Sequence, residues 1–124
     1  MLRRLLAVAA LLTASGVSAG RDRPLQRAAQ AAPVATNPYE GQAAAEKAGA
    51  KLFHYNCSAC HGPRAEGIGN VPPLVSTRVQ TATPGALKWV LRNGSLTTGM
   101  PSFSKLPEAQ RWQIITYIQS LNSR

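Results

Sequence analysis

The pentapeptide Cys57-Ser58-Ala59-Cys60-His61 holds both cysteines of this 124-residue chain, one helical turn apart and followed at once by an imidazole. No further cysteine exists to cross-link distant segments, so a disulfide framework is excluded. Cysteines at this spacing face one side, where two thiols can add across the two vinyl groups of one porphyrin edge. The next residue then projects its ring beneath the macrocycle. The pattern is accordingly the attachment signature of haem c, with His61 as an iron ligand. Three other uses fit the chain less well. A thioredoxin-like dithiol needs a strand leading into the first cysteine, and none precedes Cys57. A zinc site built from Cys57, Cys60, His61 and His54 lacks the usual two separated pairs. A Cys57–Cys60 disulfide would close too short a loop to stabilise much.

The N-terminal third sets how much chain is left to fold. Arg3 and Arg4, the apolar run Leu5 to Leu12 and the small residues Val17-Ser18-Ala19 have the layout of a secretory signal peptide over residues 1–19. Its apolar run is shorter than the roughly 20 residues that span a bilayer, so no transmembrane segment is expected after cleavage. Residues 20–37 are rich in Ala, Arg, Gln and Pro without a repeating apolar face, and read as a flexible leader; a later cut, after Ala32 for instance, is the alternative. The folded domain is then 38–124. So small a unit commonly needs a bound group to complete its core.

Within it, Ala45, Ala48, Gly49, Leu52 and Phe53 recur at helical spacing and lead into the cysteine motif. Gly62 to Leu74 is dense in Gly and Pro and reads as an extended loop. Thr83-Pro84 supplies an N-cap and first-turn proline for a helix ended by Asn93-Gly94. Pro107 and Glu108 open a last helix through Trp112, Ile115, Ile118 and Leu121. No segment alternates with period two, so the fold class is all-α. Phe53, Leu74, Trp89, Phe103, Trp112, Ile115 and Ile118 are the expected core around the haem. Met100 is the only methionine after Met1, in a Gly99-Met100-Pro101 turn. A lone loop methionine ordinarily packs; beside a haem motif it becomes the candidate sixth ligand of the iron. His54 reads as a surface residue.

Taken together, these residues resemble a class I c-type cytochrome, over about Glu40 to Leu121. The resemblance implies the cytochrome c fold: three main helices and short turns wrapped around one covalent haem, with Gly49 and Phe53 crossing the last helix at Tyr117. It also implies cofactor-binding roles for Cys57, Cys60, His61, Met100 and Pro72. Pro72-Pro73-Leu74 is similar to the family's P-x-L element, in which the first proline's carbonyl orients the ligating histidine, here His61. Only 39 positions separate His61 from Met100, as in the compact bacterial form. The segments around Gly99 to Phe103 and Arg111-Trp112 are similar to small cytochromes that accompany quinoprotein dehydrogenases.

The function so implied is a periplasmic carrier, not an enzyme, passing single electrons between redox partners such as a dehydrogenase and an oxidase or another cytochrome. The alternative is a haem-based ligand sensor or peroxidase with a displaceable distal ligand. The formal charge of +9 stays positive when Arg3 and Arg4 are removed and suits an acidic docking face on a redox protein. Export and the scattering of Lys47, Lys51, Arg64, Arg78, Lys88, Arg92, Lys105 and Arg111 speak against nucleic acid.

Overall fold

A computed structural model describes residues 23–32 and 35–123 of the chain. The signal peptide expected at 1–19 lies outside the described residues. Six helices follow in order: α1 (Arg23–Ala31), α2 (Ala43–Asn56), α3 (Ser58–His61), α4 (Thr77–Gln80), α5 (Pro84–Asn93) and α6 (Glu108–Ser120), with a 3-10 turn at Leu121–Ser123. Among the described residues there is no sheet, only isolated bridges at Ile68–Val71 and Ser95–Met100. The all-α expectation therefore holds, and α2, α5 and α6 are its main helices.

The crossing of α2 and α6 organises the domain. Gly49 on α2 meets the α6 backbone so closely that an added Cβ would lie 1.9 Å from the Gln113 carbonyl oxygen. One turn on, the Phe53 and Tyr117 rings pack with centroids 5.3 Å apart at 54°, a tilted contact worth about 0.5–1.5 kcal/mol beyond its area. Phe53, Ile114 and Ile115 are essentially sealed from solvent, each contributing about 1.5–3 kcal/mol of burial. The Thr83 hydroxyl accepts from Ala86 N–H at 3.1 Å and caps α5 as its position before Pro84 requires. Pro107 stands one place before α6 rather than inside it.

One expectation needs correction. The segment 20–37 was expected to be a flexible leader without a docking face, yet within it α1 buries Ala28 completely and Leu25 packs on the core. Leu25, Ala28, Ala29 and Ala32 fall at helical spacing; the stripe consists largely of alanine and is easily missed. Asn37 is also buried, its Nδ2 donating to Thr116 Oγ1 at 2.9 Å and its Oδ1 accepting from Tyr39 N–H at 3.0 Å. Of the residues expected around the haem, Phe53, Trp112, Ile115 and Ile118 lie in the hydrophobic cluster, Leu74 and Phe103 pack against its edge, and Trp89 is half-buried.

Candidate cofactor site

At Cys57 the chain breaks direction. Its φ of −125° and ψ of −33° end α2, yet its N–H still donates to Phe53 O at 2.8 Å. Its carbonyl then accepts from His61 N–H at 2.9 Å to close the single turn of α3. The Cys57 thiol consequently points into the core and is 7% exposed, while Cys60, three residues later, is exposed. Burial, then the neighbouring Cys60, pushes the Cys57 thiol up to about 11. His54 is exposed, as expected of a surface residue.

His61 is half-buried, and desolvation lowers its proton affinity. The Pro72 backbone carbonyl acts in the opposite sense, as an acceptor for the ring. Its approach falls short of a fully formed bond, since Nδ1 of His61 is buried without a partner inside hydrogen-bond limits. Pro72 arrives there because the loop from Gly62 to Leu74 folds back on itself. Gly67 N–H donates to His61 O at 2.7 Å and Leu74 N–H to Ala65 O at 2.8 Å. At Gly67, with φ +83°, a Cβ would sit 2.6 Å from Val71 O and 2.9 Å from Pro73 N. Only glycine lets the two strands of this loop touch.

Met100 stands in the turn that follows α5. It is half-buried and packs against the cluster that contains Cys57, Leu87 and Leu91. Ser95 and Met100 exchange backbone hydrogen bonds of 2.8 and 3.0 Å, closing a small hairpin with Gly99 at φ +81°. Gly94, at φ +64°, caps α5 and lies so near the hairpin's far arm that a Cβ would meet Met100 O and Pro101 C within 2.6–2.7 Å. The structure thus brings Cys57 and Met100 to one apolar cluster and Pro72 to His61, with Cys57 and His61 joined through the turn of α3. The donor set suits a covalent haem: two unpaired thiols, an imidazole with a buried unpartnered nitrogen, and a soft thioether.

Residues 44–118 match the protein family described as cytochrome c oxidase, cbb3-type, subunit III. The chain belongs to this cytochrome c family. Membership implies covalent haem c, with Cys57 and Cys60 at the spacing such attachment uses, and a role in electron transfer. No curated protein matches the sequence. Among solved structures it is similar to cytochrome cL of the marine methylotroph Methylophaga aminisulfidivorans, at 29% identity and a TM-score of 0.58, over 67% of this chain and 57% of that one. Cytochrome cL of Hyphomicrobium denitrificans shares the fold at 24% identity and a TM-score of 0.57, over 82% of this chain and 61% of that one. This cytochrome therefore spans less than two thirds of each. Among the described residues, no helix is long and apolar enough to cross a membrane.

Sequence reasoning missed what holds the site together. Ala65 and Gly67 shape the loop that brings Pro72 to His61, Gly94 and Arg111 contact the hairpin and the segment that flank Met100, and Asn37 fastens the chain before α2 to Thr116 on α6. Arg111 had a readable signal: it shares the helical spacing of Ile114, Ile115 and Ile118 and so falls on the buried side of α6.

Proposed function

We propose that this protein is a periplasmic monohaem electron carrier. Its haem is bound through Cys57 and Cys60, with His61 and Met100 as axial ligands and the Pro72 carbonyl orienting His61. One observation carries the reading: a buried Cys57 opening the turn that ends in His61, with the Met100 hairpin packed on the cluster to which Cys57 belongs. When bound, haem supplies a one-electron Fe(III)/Fe(II) couple. The chain's residues do the rest. His61 and Met100 would hold the iron between them and leave no place for a substrate. The Pro72 carbonyl, once close enough to accept from the ring, would set the plane and tautomer of the imidazole. Leu87, Leu91 and Phe103 exclude water, which together with a thioether ligand favours the reduced state.

The positive surface would steer an acidic face of a dehydrogenase, an oxidase or another cytochrome towards the site. The resemblance of the segments around Gly99 to Phe103 and Arg111-Trp112 to small cytochromes that accompany quinoprotein dehydrogenases favours a dehydrogenase as donor. Spectroscopy of the purified holoprotein tests the assignment. The reduced form should give the sharp α-band of low-spin haem c, and the ferric form a weak methionine-sulfur-to-iron charge-transfer band that Met100→Ala abolishes. High-spin ferric haem with ready carbon monoxide binding by the reduced wild type would instead identify a ligand-binding haem protein.

A further inference from the structure

Arg111 is a buried cation. It is 7% exposed, and Nη1 of its guanidinium donates to the carbonyl oxygens of Phe103 (3.4 Å), Ser104 (3.0 Å) and Leu106. All three carbonyls belong to the segment that runs from Met100 to α6. The opposite side of that segment is fastened to α5, where Phe103 N–H donates to Leu91 O at 2.8 Å and the Ser102 hydroxyl donates to Arg92 O. Taking a cation out of water is unfavourable unless oriented dipoles replace its hydration. Three carbonyls converging on one nitrogen supply those dipoles, so segment and guanidinium hold each other in place.

We propose that Arg111 is a positioning residue: it keeps the 101–106 segment closed between α5 and α6 and thereby keeps the Met100 thioether seated as the distal ligand. The proposal rests on ligation by Met100. An external ligand can take the sixth position only while the segment is open, and its apparent affinity scales with the open fraction. Arg111→Met keeps the length and removes every donor, leaving the carbonyls to water and favouring the open form. Arg111→Lys keeps the charge but replaces the planar fork with a single ammonium.

The test is imidazole titration of ferric holoprotein, followed by bleaching of the methionine-sulfur-to-iron band, in wild type, Arg111→Met, Arg111→Lys and Asn37→Ala. Asn37 bonds to Thr116, away from the Met100 segment, so Asn37→Ala controls for lost stability alone. Arg111→Met should bind imidazole about tenfold tighter or more, Arg111→Lys about threefold tighter, and Asn37→Ala within about twofold of wild type despite a lower thermal midpoint. Arginine variants that both stay within twofold of wild type, or an Asn37→Ala shift equal to theirs, overturn the positioning role and leave Met100 ligation standing. A wild type without the charge-transfer band overturns ligation, and the inference with it. Should Arg111→Met yield no holoprotein, Arg111→Lys decides by the same twofold limit.

Discussion

Gly49 and Gln113 touch backbone to backbone, with room between α2 and α6 for a hydrogen atom and not for a methyl group. Gly49→Ala must part the two helices that carry Phe53, Tyr117, Ile114 and Ile115. Overpacking a tight core ordinarily costs about 1–3 kcal/mol, and a clash with the backbone of Gln113, which cannot turn aside, belongs at or above the upper end. At about 4–8 °C per kcal/mol for a domain of this size, the thermal midpoint of the holoprotein should fall by at least about 12 °C. A fall of only a few degrees would mean that the crossing opens without loss.

Gly94 tests the hairpin beside Met100. Gly94→Ala forces an L side chain into φ +64° and drives its Cβ to 2.6–2.7 Å from Pro101 and Met100 backbone atoms. With ψ at −164° this backbone lies in a region essentially confined to glycine, which costs any other residue about 1–3 kcal/mol. Because the clash is with the arm that carries Met100, the loss should appear in the ligand as well as in stability. The ferric charge-transfer band should weaken at temperatures where the protein remains folded. An unchanged band beside a lowered midpoint would confine the effect of Gly94 to the α5 cap.

The features legible in the sequence were those written in one short stretch. The haem motif, the Thr83-Pro84 cap, the breakers from Gly62 to Leu74 and the amphipathic faces of α2 and α6 are each local, and each appears where its residues put it. The pairing of Gly49 and Phe53 with Tyr117 came from the family resemblance, because nothing local relates residues more than 60 apart. What stayed hidden is long-range or weakly coded. An alanine stripe made α1 look featureless. The spacing of Arg111 puts it on the buried side of α6, but the carbonyls that receive it come together only when the 103–106 segment folds over it. Asn37 gave no sign of its bond to Thr116, 79 residues away.

Ala65 is the only non-glycine residue with positive φ among the described residues, at +58°, and it is fully buried. Three effects meet at Ala65→Gly. Relief of the left-handed strain is worth about 1–2 kcal/mol, the added chain entropy of glycine costs about 0.5–1 kcal/mol, and the lost buried methyl about 0.8 kcal/mol. They nearly cancel, so denaturant unfolding should show a change within about 1 kcal/mol. Ala65→Val gains nothing and adds both strain and volume, and should lose at least about 2 kcal/mol. A large loss in the glycine variant would show the Ala65 methyl to be worth more than its area.

Glu108 gives a pH dependence of known sign. A hydrogen bond from Lys88, then its charge, holds the carboxyl below the ordinary 4.5, and Lys88 itself lies over the Trp112 ring at 4.9 Å. A carboxylate whose pKa is depressed by folding adds stability above its unfolded value, and that contribution is lost as pH falls through the folded value. Wild type should therefore melt slightly higher than Glu108→Gln through the neutral range. The difference should close only below 4.5. Since Glu108 is exposed, the gap is small and added salt narrows it. A gap that persists in strong acid would have to come from something other than the charge.

Whether α1 and Ala32 form part of the folded domain can be read from the sign of one substitution. Gly85 lies in the first turn of α5, where alanine would normally improve helix stability by up to about 1 kcal/mol. Here its Cβ would stand 2.7 Å from Ala32 O and 3.0 Å from Ala35 N. If this segment swings free, nothing opposes the propensity gain and Gly85→Ala raises the thermal midpoint. If it is docked, the clash with its backbone outweighs that gain and the midpoint falls, with faster hydrogen exchange at Ala28 and Ala32, whose N–H donates to Ala28 O at 2.8 Å. The fully buried Ala28 and the bond from Asn37 to Thr116 place the expectation on the second side. A stabilised Gly85→Ala would return α1 to the flexible leader that its composition suggests.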